Sequence, residues 1–483
     1  MGKVPNPDPS ATARSMSVAR EISTHRPTQT SMGRPPTGEA FHEPLGRRWL
    51  TGTMRTGGHV SAPTIVRPTT TGTITHLRCR ECGQTEPLAA THVCGECFGP
   101  LEVAYDEEQV ARRVTRERIA AGPPSLWRYA DLLPTLSDDP AARVDLGTGW
   151  TPLRSAPRLA ARLGIDELWL KDDTRNPSGS FKDRVVSVAI SAARELGIDT
   201  IACASTGNLA GAVSAHAAAV GMPAYVFIPA DLERAKVLGA AVYGANVVAV
   251  DGTYDDVNRL CAELADGEGW GFVNVNLRAF YAEGSKSIGF EIAEQLGWQL
   301  PDHVVAPIAS GAMFVKIRKA FGELLRYGLV DGQVPTMNGA QATGCSPVAA
   351  AFEAGSLDVT PQVPDTIARS LAIGNPADGY YALKVAEETG GVIGHVGDDE
   401  VVRGIRLLAE TEGVFAETAG GVTVANLARF AEEGRFGRGE RVVAVISGTG
   451  YKTLDAVEPH IGPSLTVTPS LDDVRQQLAA RSA

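Results

Sequence analysis

Residues 170–184 read LKDDTRNPSGSFKDR and join three kinds of local pattern. The stretch begins at the end of an apolar run typical of a buried strand and continues through a Pro/Gly/Ser-rich segment typical of a loop. Lys182 then opens an amphipathic segment of helical length. A lysine there meets the positive end of the helix dipole, which favours its neutral, nucleophilic form. A solvated surface lysine is the alternative that this segment alone leaves open.

The alternation of short apolar runs with amphipathic segments continues from about residue 146 to residue 460. Strands are predicted at Leu168–Lys171, Thr200–Cys203, Tyr225–Ile228, Asn246–Val250, Val304–Pro307 and Val442–Ile446. Helices are predicted at Val185–Leu196, Leu209–Val220, Asp255–Leu264 and Val401–Thr411. Such alternation indicates parallel sheets covered on both faces. The region is too long for one simple sheet, so we expect an α/β fold of two doubly wound, mostly parallel-sheet lobes. The smaller, movable lobe would span roughly residues 195–285.

Other parts of the chain have a different composition. Residues 1–73 are rich in Pro, Thr, Ser, Gly and Arg and are predicted to be a disordered extension. An organelle transit peptide, or a true start at Met54, are the alternatives for this segment. Residues 106–145 contain a charged helix and an aromatic segment and are interpreted as a connecting arm. Residues 461–483 form a C-terminal tail that ends in a short polar helix.

Residues 74–105 contain two Cys-x-x-Cys pairs, Cys79 with Cys82 and Cys94 with Cys97. Four thiolates at this spacing can surround one tetrahedral ion, which predicts a zinc-ribbon-like module with a structural zinc. A redox pair or four incidental cysteines are the alternatives. His92 lies nearby but is surplus to a closed four-sulfur site. Since the module is remote from Lys182 in sequence, we expect it to act independently of the lysine.

Three further strand-to-helix joints carry small or polar residues. The first, Ser205–Gly211, offers backbone N–H groups and hydroxyls that can bind an anion, although an ordinary helix cap is the alternative. The second, Ala306–Met313, is a plausible phosphate cup. The third begins at Ser447, after the last predicted strand. Ligands of open α/β sheets collect at the carboxyl ends of strands, so four such joints together indicate a binding site.

Charge and composition exclude several classes of function. The formal net charge is −11, which argues against nucleic acid or an anionic membrane as the main partner. Uninterrupted apolar runs long enough to span a bilayer do not occur. Seven cysteines in 483 residues form no disulfide framework, which favours the reducing cytoplasm. The sequence leaves a homodimer or a larger homo-oligomer open.

The motifs together resemble the pyridoxal-phosphate enzymes of the tryptophan-synthase-like fold (fold type II) and, within them, the threonine synthases. SGSFKDR at 178–184 is the most specific match, and the resemblance covers about residues 75–460. The other matching motifs are STGN (205–208), VDGTYDD (250–256), AEGSKS (282–287), GAQATGCSP (339–347), IGNP (373–376) and EGVFAETA (412–419). The match is to a long branch with an N-terminal cysteine-rich module.

The resemblance implies pyridoxal 5′-phosphate as cofactor and a role for each matching residue. Lys182 would bind the cofactor covalently and later move protons. The other residues at the cofactor would be Phe181, Asn208 at the 3′ oxygen, the cup of Ala309, Ser310, Gly311, Ala312 and Met313 at the phosphate, and Ser447 at the pyridine nitrogen. The substrate would be held by Ser178, Ser180, Ser205, Thr206, Gly207, Arg278 and Lys286.

The implied reaction is that of a carbon–oxygen lyase acting on a phosphate, in which O-phospho-L-homoserine and water give L-threonine and phosphate. The sequence departs from the family pattern at two places. The cup has only one glycine, Gly311, and Tyr281 stands where many members carry an arginine for the substrate phosphate. Arg278 or Lys286 would then supply the charge, with Lys236 and Arg184 as further candidates.

Two other functions compete with this one. A related enzyme could carry out β-elimination or β-replacement on serine- or threonine-type amino acids, as a dehydratase or a synthase of specialised metabolism does. A non-enzymatic binding protein on the same fold is the other hypothesis. The intact set of Lys182, Asn208 and Ser447 argues against the binding protein, and retained positive charge near 278–286 favours the phosphorylated substrate.

Overall fold

The computed structural model of the protein describes residues 71–205, 207–232 and 234–482. The predicted disordered extension therefore lies outside the described residues, except for its last three. In the described part of the chain, no helix combines the length and the apolar character needed to cross a membrane.

The strands fall into three sheets. In chain order they are β1 (Ile74–Cys79), β2 (Thr85–Glu86), β3 (Leu101–Tyr105), β4 (Leu153–Ser155), β5 (Glu167–Asp172), β6 (Ile201–Ala204), β7 (Ala224–Pro229), β8 (Asn246–Val250), β9 (Gly271–Phe272), β10 (His303–Pro307), β11 (Thr336–Ala342), β12 (Ile393–Val396) and β13 (Arg441–Ile446). The first three strands form a small antiparallel sheet of order β2-β1-β3. The largest sheet has the order β12-β11-β10-β13-β5-β4 and the third has the order β8-β7-β6-β9.

The helices connect and cover these sheets. They are α1 (Glu107–Arg113), α2 (Arg116–Ala120), α3 (Pro157–Leu163), α4 (Lys182–Glu195), α5 (Asn208–Ala219), α6 (Arg234–Ala241), α7 (Tyr254–Gly267), α8 (Arg278–Glu283), α9 (Lys286–Gln295), α10 (Ala312–Arg326), α11 (Pro347–Glu353), α12 (Gly379–Thr389), α13 (Asp398–Glu412), α14 (Thr418–Glu432) and α15 (Leu471–Ser482). Short 3₁₀ turns, such as the one at Leu126–Leu132, lie between them.

The six-stranded sheet is parallel except for the edge strand β4, and the four-stranded sheet is wholly parallel. Alternate residues of β13 enter two different cores. Val443 and Val445 belong to one, while Val442, Ala444 and Ile446 belong to the other. Burial of both faces explains the continuous apolar run of this strand. The prediction of two parallel-sheet α/β lobes behind a small cysteine-bearing sheet is confirmed.

The predicted strands and helices agree with the structure to within a few residues. In the two larger sheets of the described residues, four strands had no prediction: β4, β9, β11 and β12. The most central of these is β11, which reads TMNGAQA and is buried along almost its whole length. Its Asn, Gly and Gln have low strand propensity, so the pattern resembles a loop.

A buried ion cluster fixes the start of α4. Arg184 is fully buried and donates to Asp173 at 2.7 and 2.8 Å and to Glu291 at 2.5 and 2.8 Å. Lys171 of β5 also reaches Glu291, at 2.6 Å. Burial raises the pKa of Glu291, but the charges of Arg184 and Lys171 outweigh it and lower the pKa to about 2. The cluster thus joins α4 to β5 and α9.

We predict that Arg184→Ala lowers the free energy of unfolding by about 3–5 kcal/mol, because it removes the buried guanidinium that Asp173 and Glu291 share. Urea unfolding of the purified protein measures the change. Arg158→Ala, which removes an exposed arginine from α3, is the matched control and should be nearly neutral.

The difference in the free energy of unfolding between wild type and Arg184→Ala should become smaller at low pH. The pKa of Glu291 in the folded protein lies below its ordinary value of 4.5. The stability that its ion pairs contribute is therefore fully present above pH 4.5 and is lost as the pH falls towards 2. A difference that stays constant across this range would show that the ion pair is not its source.

Candidate active site

A cavity of about 420 Å³ lies at the carboxyl ends of strands from both parallel sheets. Its wall includes Ser205 after β6, Pro307 at the end of β10 and Ser447 after β13. Lys182 also lines it, at the start of α4. The topology therefore brings together four joints that are far apart in sequence, as expected for a ligand site in an open α/β fold.

Among the described residues, the amine of Lys182 has one polar contact in the cavity. Its Nζ donates to the hydroxyl oxygen of Tyr281 at 2.9 Å and lies 4.6 Å from the centre of the Phe181 ring. Tyr281 is carried by α8, so the lysine spans between two helices. The hydroxyl of Tyr281 therefore faces the lysine.

Two loops hold the start of α4 in place. Phe181 donates its backbone N–H to the carbonyl of Ser447 at 2.8 Å, and Thr449 donates to the carbonyl of Gly179 at 3.0 Å. Gly179 has φ +76°, and a side chain there would meet Thr449. The lysine loop and the loop after β13 thus form one hydrogen-bonded unit.

Glu417 was not predicted as a site residue, yet it joins two that were. Asn208 donates to Glu417 Oε2 at 2.7 Å, and Ser447 donates to Oε1 at 3.0 Å. All three side chains are buried and line the cavity. The Oδ1 atom of Asn208 has no hydrogen-bond partner among the described residues, although it is buried. A ligand hydroxyl or N–H group nearby would satisfy this acceptor atom.

The predicted cup lies between β10 and α10, and all of Ala309–Met313 line the cavity. Gly311 is in the left-handed region, with φ +95°, and a Cβ atom there would lie 2.6 Å from the carbonyl oxygen of Asp378. No side chain caps the first turn of α10, so backbone N–H groups face the loop. These donors at a helix N-terminus suit a phosphate.

Several predicted substrate residues lie elsewhere or have other contacts. Ser178 and Ser180 are not part of the cavity wall, although their buried hydroxyls find no partner within the described residues. Ser205 lines the cavity together with Gly207, but its hydroxyl accepts from the N–H groups of Gly207 and Ala210 and so caps α5. Thr206 lies outside the described residues.

The prediction that Lys286 faces the substrate is contradicted by its position. It is fully buried beneath α8, outside the cavity wall, and bonds Glu283 at 2.7 Å and Glu323 at 3.0 Å. Arg184 is likewise committed to its own cluster. Arg278, in contrast, does line the cavity.

The four cysteines of the N-terminal module come together as predicted from their spacing. Their sulfurs all lie within 4.8 Å of one another, and neighbouring pairs are 3.4 to 3.7 Å apart. A tetrahedral zinc with bonds of about 2.3 Å needs sulfurs about 3.8 Å apart, so the arrangement fits a metal ion. Burial raises the pKa of Cys79, but N–H groups of Cys82 and Glu81 outweigh it and lower the pKa to about 7.

The module is not independent of the lysine site, contrary to the expectation from sequence distance. Cys79 and Cys94 share a hydrophobic core with Phe280 and Tyr281 of α8. The loop between the cysteine pairs also places His92 in the cavity wall. The chain separation of about a hundred residues gave no indication of this contact.

Residues 144–448 match the family model of the pyridoxal-phosphate dependent enzymes, which is more than half of the chain. A threonine synthase of Methanocaldococcus jannaschii is 37% identical over 78% of this chain and 93% of its own length. One from Methanosarcina acetivorans is 35% identical over 84% of this chain and 99% of its own. The chain belongs to the threonine synthase family.

Solved structures of other proteins share the fold of this chain. A fungal L-serine ammonia-lyase from Rhizomucor miehei covers 64% of this chain and 96% of its own, at 21% identity and a TM-score of 0.55. Maize serine racemase covers 69% of this chain and 92% of its own, at 20% identity and a TM-score of 0.53. At these identities the likeness shows the fold alone.

We predict that Tyr281→Phe lowers kcat by about 5- to 10-fold, because Lys182 loses one hydrogen bond worth about 1 kcal/mol. Steady-state kinetics with O-phospho-L-homoserine on cofactor-loaded protein measure the change in kcat. Tyr225→Phe is the matched control, since this tyrosine stacks on Trp270 outside the cavity wall. Equal rates for the two variants would contradict a role for the Tyr281 hydroxyl.

Proposed function

We propose that the protein converts O-phospho-L-homoserine and water to L-threonine and phosphate, as a pyridoxal-phosphate-dependent lyase. The proposal rests on one arrangement: Lys182, an uncapped helix N-terminus and a buried, unsatisfied Asn208 oxygen line the same cavity. These groups suit the aldehyde, the phosphate and the ring oxygen of the cofactor, respectively. Sequence identities of 37% and 35% to two threonine synthases, over 93% and 99% of their lengths, support the choice of reaction.

The residues that would hold the cofactor divide by chemistry. Lys182 would bond its aldehyde, Phe181 would lie beside the ring, and residues 309–313 would bind its phosphate through backbone N–H groups. Asn208 Oδ1 would accept from the ring hydroxyl, while Glu417 orients the Asn208 amide. Ser447 would contact the ring nitrogen by turning its hydroxyl proton from Glu417 to that nitrogen. When bound, the cofactor supplies an electron sink for charge that develops on substrate carbon.

The proton transfers fall to Lys182. Its Nζ would take a proton from the α-carbon of the substrate and then one from the β-carbon, with Tyr281 fixing the position of the amine. Phosphate would leave from the γ-carbon, and a proton held by Lys182 would return to that carbon. Water would then add its hydroxyl at the β-carbon, and the α-carbon would regain a proton to give threonine. Ser447 presents a neutral hydroxyl to the ring nitrogen, which suits elimination and addition better than transamination.

The substrate would be held at both ends. Backbone N–H groups at the start of α5 would bind its carboxylate. Arg278 would bind its phosphate, because a phosphate dianion entering a cleft needs a cation or several donors. The amino-acid substrate is small enough for the cavity.

We predict that the cofactor-loaded protein releases phosphate from O-phospho-L-homoserine with equal amounts of threonine. Lys182→Ala should abolish turnover and the visible absorption of the bound cofactor, because the covalent attachment needs that amine. Lys384→Ala, which alters a lysine of α12 outside the cavity wall, is the matched control for both measurements.

Two results would contradict this proposal. A wild-type protein that ignores O-phospho-L-homoserine but releases ammonia from serine or threonine would be a dehydratase, and the proposal would fail. Lys182→Ala protein that keeps its visible absorption after borohydride treatment and dialysis would count against the lysine.

We also propose that the four-cysteine cluster holds a structural zinc ion. Four sulfur ligands leave no open coordination position for chemistry. Gly99 supports this site, since a Cβ atom there would lie 3.0 Å from Cys79 Sγ and 3.1 Å from Cys97 Sγ. Zinc thiolates and seven unpaired cysteines fit a reducing compartment, so the cytoplasm is the proposed location. The acidic net charge fits a small-molecule enzyme without a nucleic-acid partner.

We predict one zinc ion per chain by elemental analysis of protein purified without chelator. Cys94→Ser should lose the metal and lower the melting temperature, because metal binding contributes to folding of the module. Cys345→Ser, a change at a buried cysteine outside the cluster, should keep the metal. Metal-free wild-type protein would refute the assignment.

A further inference from the structure

The loop of the cysteine module that carries His92 reaches the cavity beside Arg278. Both side chains are part of the cavity wall. His92 is an exposed residue of the loop between the two cysteine pairs. His92 is therefore a surface residue of the module and a wall residue of the site at once.

A second residue of the module, Arg80, interacts with Arg278 through a shared carboxylate. Arg80, between Cys79 and Cys82, bonds Asp378 at 3.3 Å, and Arg278 bonds the other oxygen of the same carboxylate. The Asp378 side chain is largely buried. Two guanidinium groups thus share one carboxylate, so the group of three carries a net charge of about +1. Only Arg278 of the three lines the cavity.

The other cations of the cavity wall have different tasks. Among the described residues, the lysines and arginines that line it are Lys182, Arg259 and Arg278. Lys182 is assigned to the cofactor. Arg259 is mostly exposed and bonds Glu263 at 2.9 Å on its own helix. Lys236 is not part of the wall, although its Nζ would lie 3.5 Å from a Cβ atom at Gly207, on the side proposed for the substrate carboxylate. The charge within the wall that is left for the substrate phosphate is that of Arg278, with His92 as the neighbouring donor.

We propose that the cysteine module completes the substrate site. His92 and Arg278 together bind the phosphate of the amino-acid substrate, and Arg80 keeps Arg278 available by sharing the charge of Asp378. This inference rests on the proposed function, because it assumes a phosphorylated substrate. It gives the module a part in substrate binding in addition to its structural zinc.

The test uses the cofactor-loaded full chain and inorganic phosphate as the probe. Dissociation constants come from calorimetric titration, and KM and kcat from turnover of O-phospho-L-homoserine. His92→Ala and Arg80→Ala should each weaken phosphate binding and raise KM by about 5- to 10-fold, the effect of one polar contact, with kcat changed by less than about twofold. His76→Ala and Arg78→Ala are the matched controls from the same module and should leave all three constants unchanged.

A variant outside the module should change phosphate affinity in the opposite direction. Asp378→Asn keeps an oxygen for hydrogen bonding but removes the negative charge, so it should tighten phosphate binding by several-fold. Since it leaves the cysteines untouched, it tests the charge argument even if Arg80→Ala fails to hold zinc. Weaker or unchanged binding in Asp378→Asn would overturn the role of the shared carboxylate.

The remaining outcomes separate the inference from the proposed function. If the wild type neither binds phosphate nor forms threonine, the proposed function fails and the inference with it. If the wild type does both, but His92→Ala and Arg80→Ala behave like His76→Ala and Arg78→Ala, the inference alone is wrong. A loss confined to kcat would also overturn it, because a phosphate contact made by the ground state must appear in binding.

Discussion

The position of the lysine depends on the buried pairing of Arg184 with Asp173 and Glu291. Arg184 lies two residues after Lys182 in α4, while its partners lie after β5 and in α9. Replacing a buried ion cluster by apolar residues is often neutral for stability, whereas breaking one partner is costly. Its contribution here is therefore mainly geometric. The planar guanidinium accepts only one arrangement of the two carboxylates, and this arrangement fixes where α4 begins.

A second buried ion cluster connects the cysteine module to the same region. Glu283 of α8 bonds Lys286 at 2.7 Å, Lys316 at 2.5 Å and Lys319 at 3.0 Å. Both Lys316 and Lys319 also bond Glu102 of β3 at 3.1 Å. Burial raises the pKa of Glu283, but the lysines outweigh it and hold the pKa well below its usual range. The cluster joins the module to α8, which bears Tyr281, and to α10, which begins at the cup.

The fold was predictable where burial follows simple periodicity. Strands such as β13 are covered on both faces, so their apolar runs are visible in the sequence. Strand β11 was missed because its burial depends on close packing rather than on hydrophobicity. A Cβ atom at Gly339 would lie 2.4 Å from the side-chain tip of Ile308, so any larger residue here would require that side chain to move. Propensity cannot register that requirement, because it arises from a contact with another strand-end loop.

The site was predictable where chemistry and local backbone coincide, as at Lys182, Asn208 and the cup. Prediction failed for Lys286, which was chosen for its charge alone. A charge near a motif does not reveal its partner, and three of the nearest partners of Lys286 come from other elements or turns. Glu417 and His92 were missed for the converse reason, since each acts through residues distant in sequence. Residues whose position follows from the local backbone can therefore be predicted from sequence motifs. Residues whose position depends on an ion pair with a distant part of the chain can be assigned only from the tertiary structure.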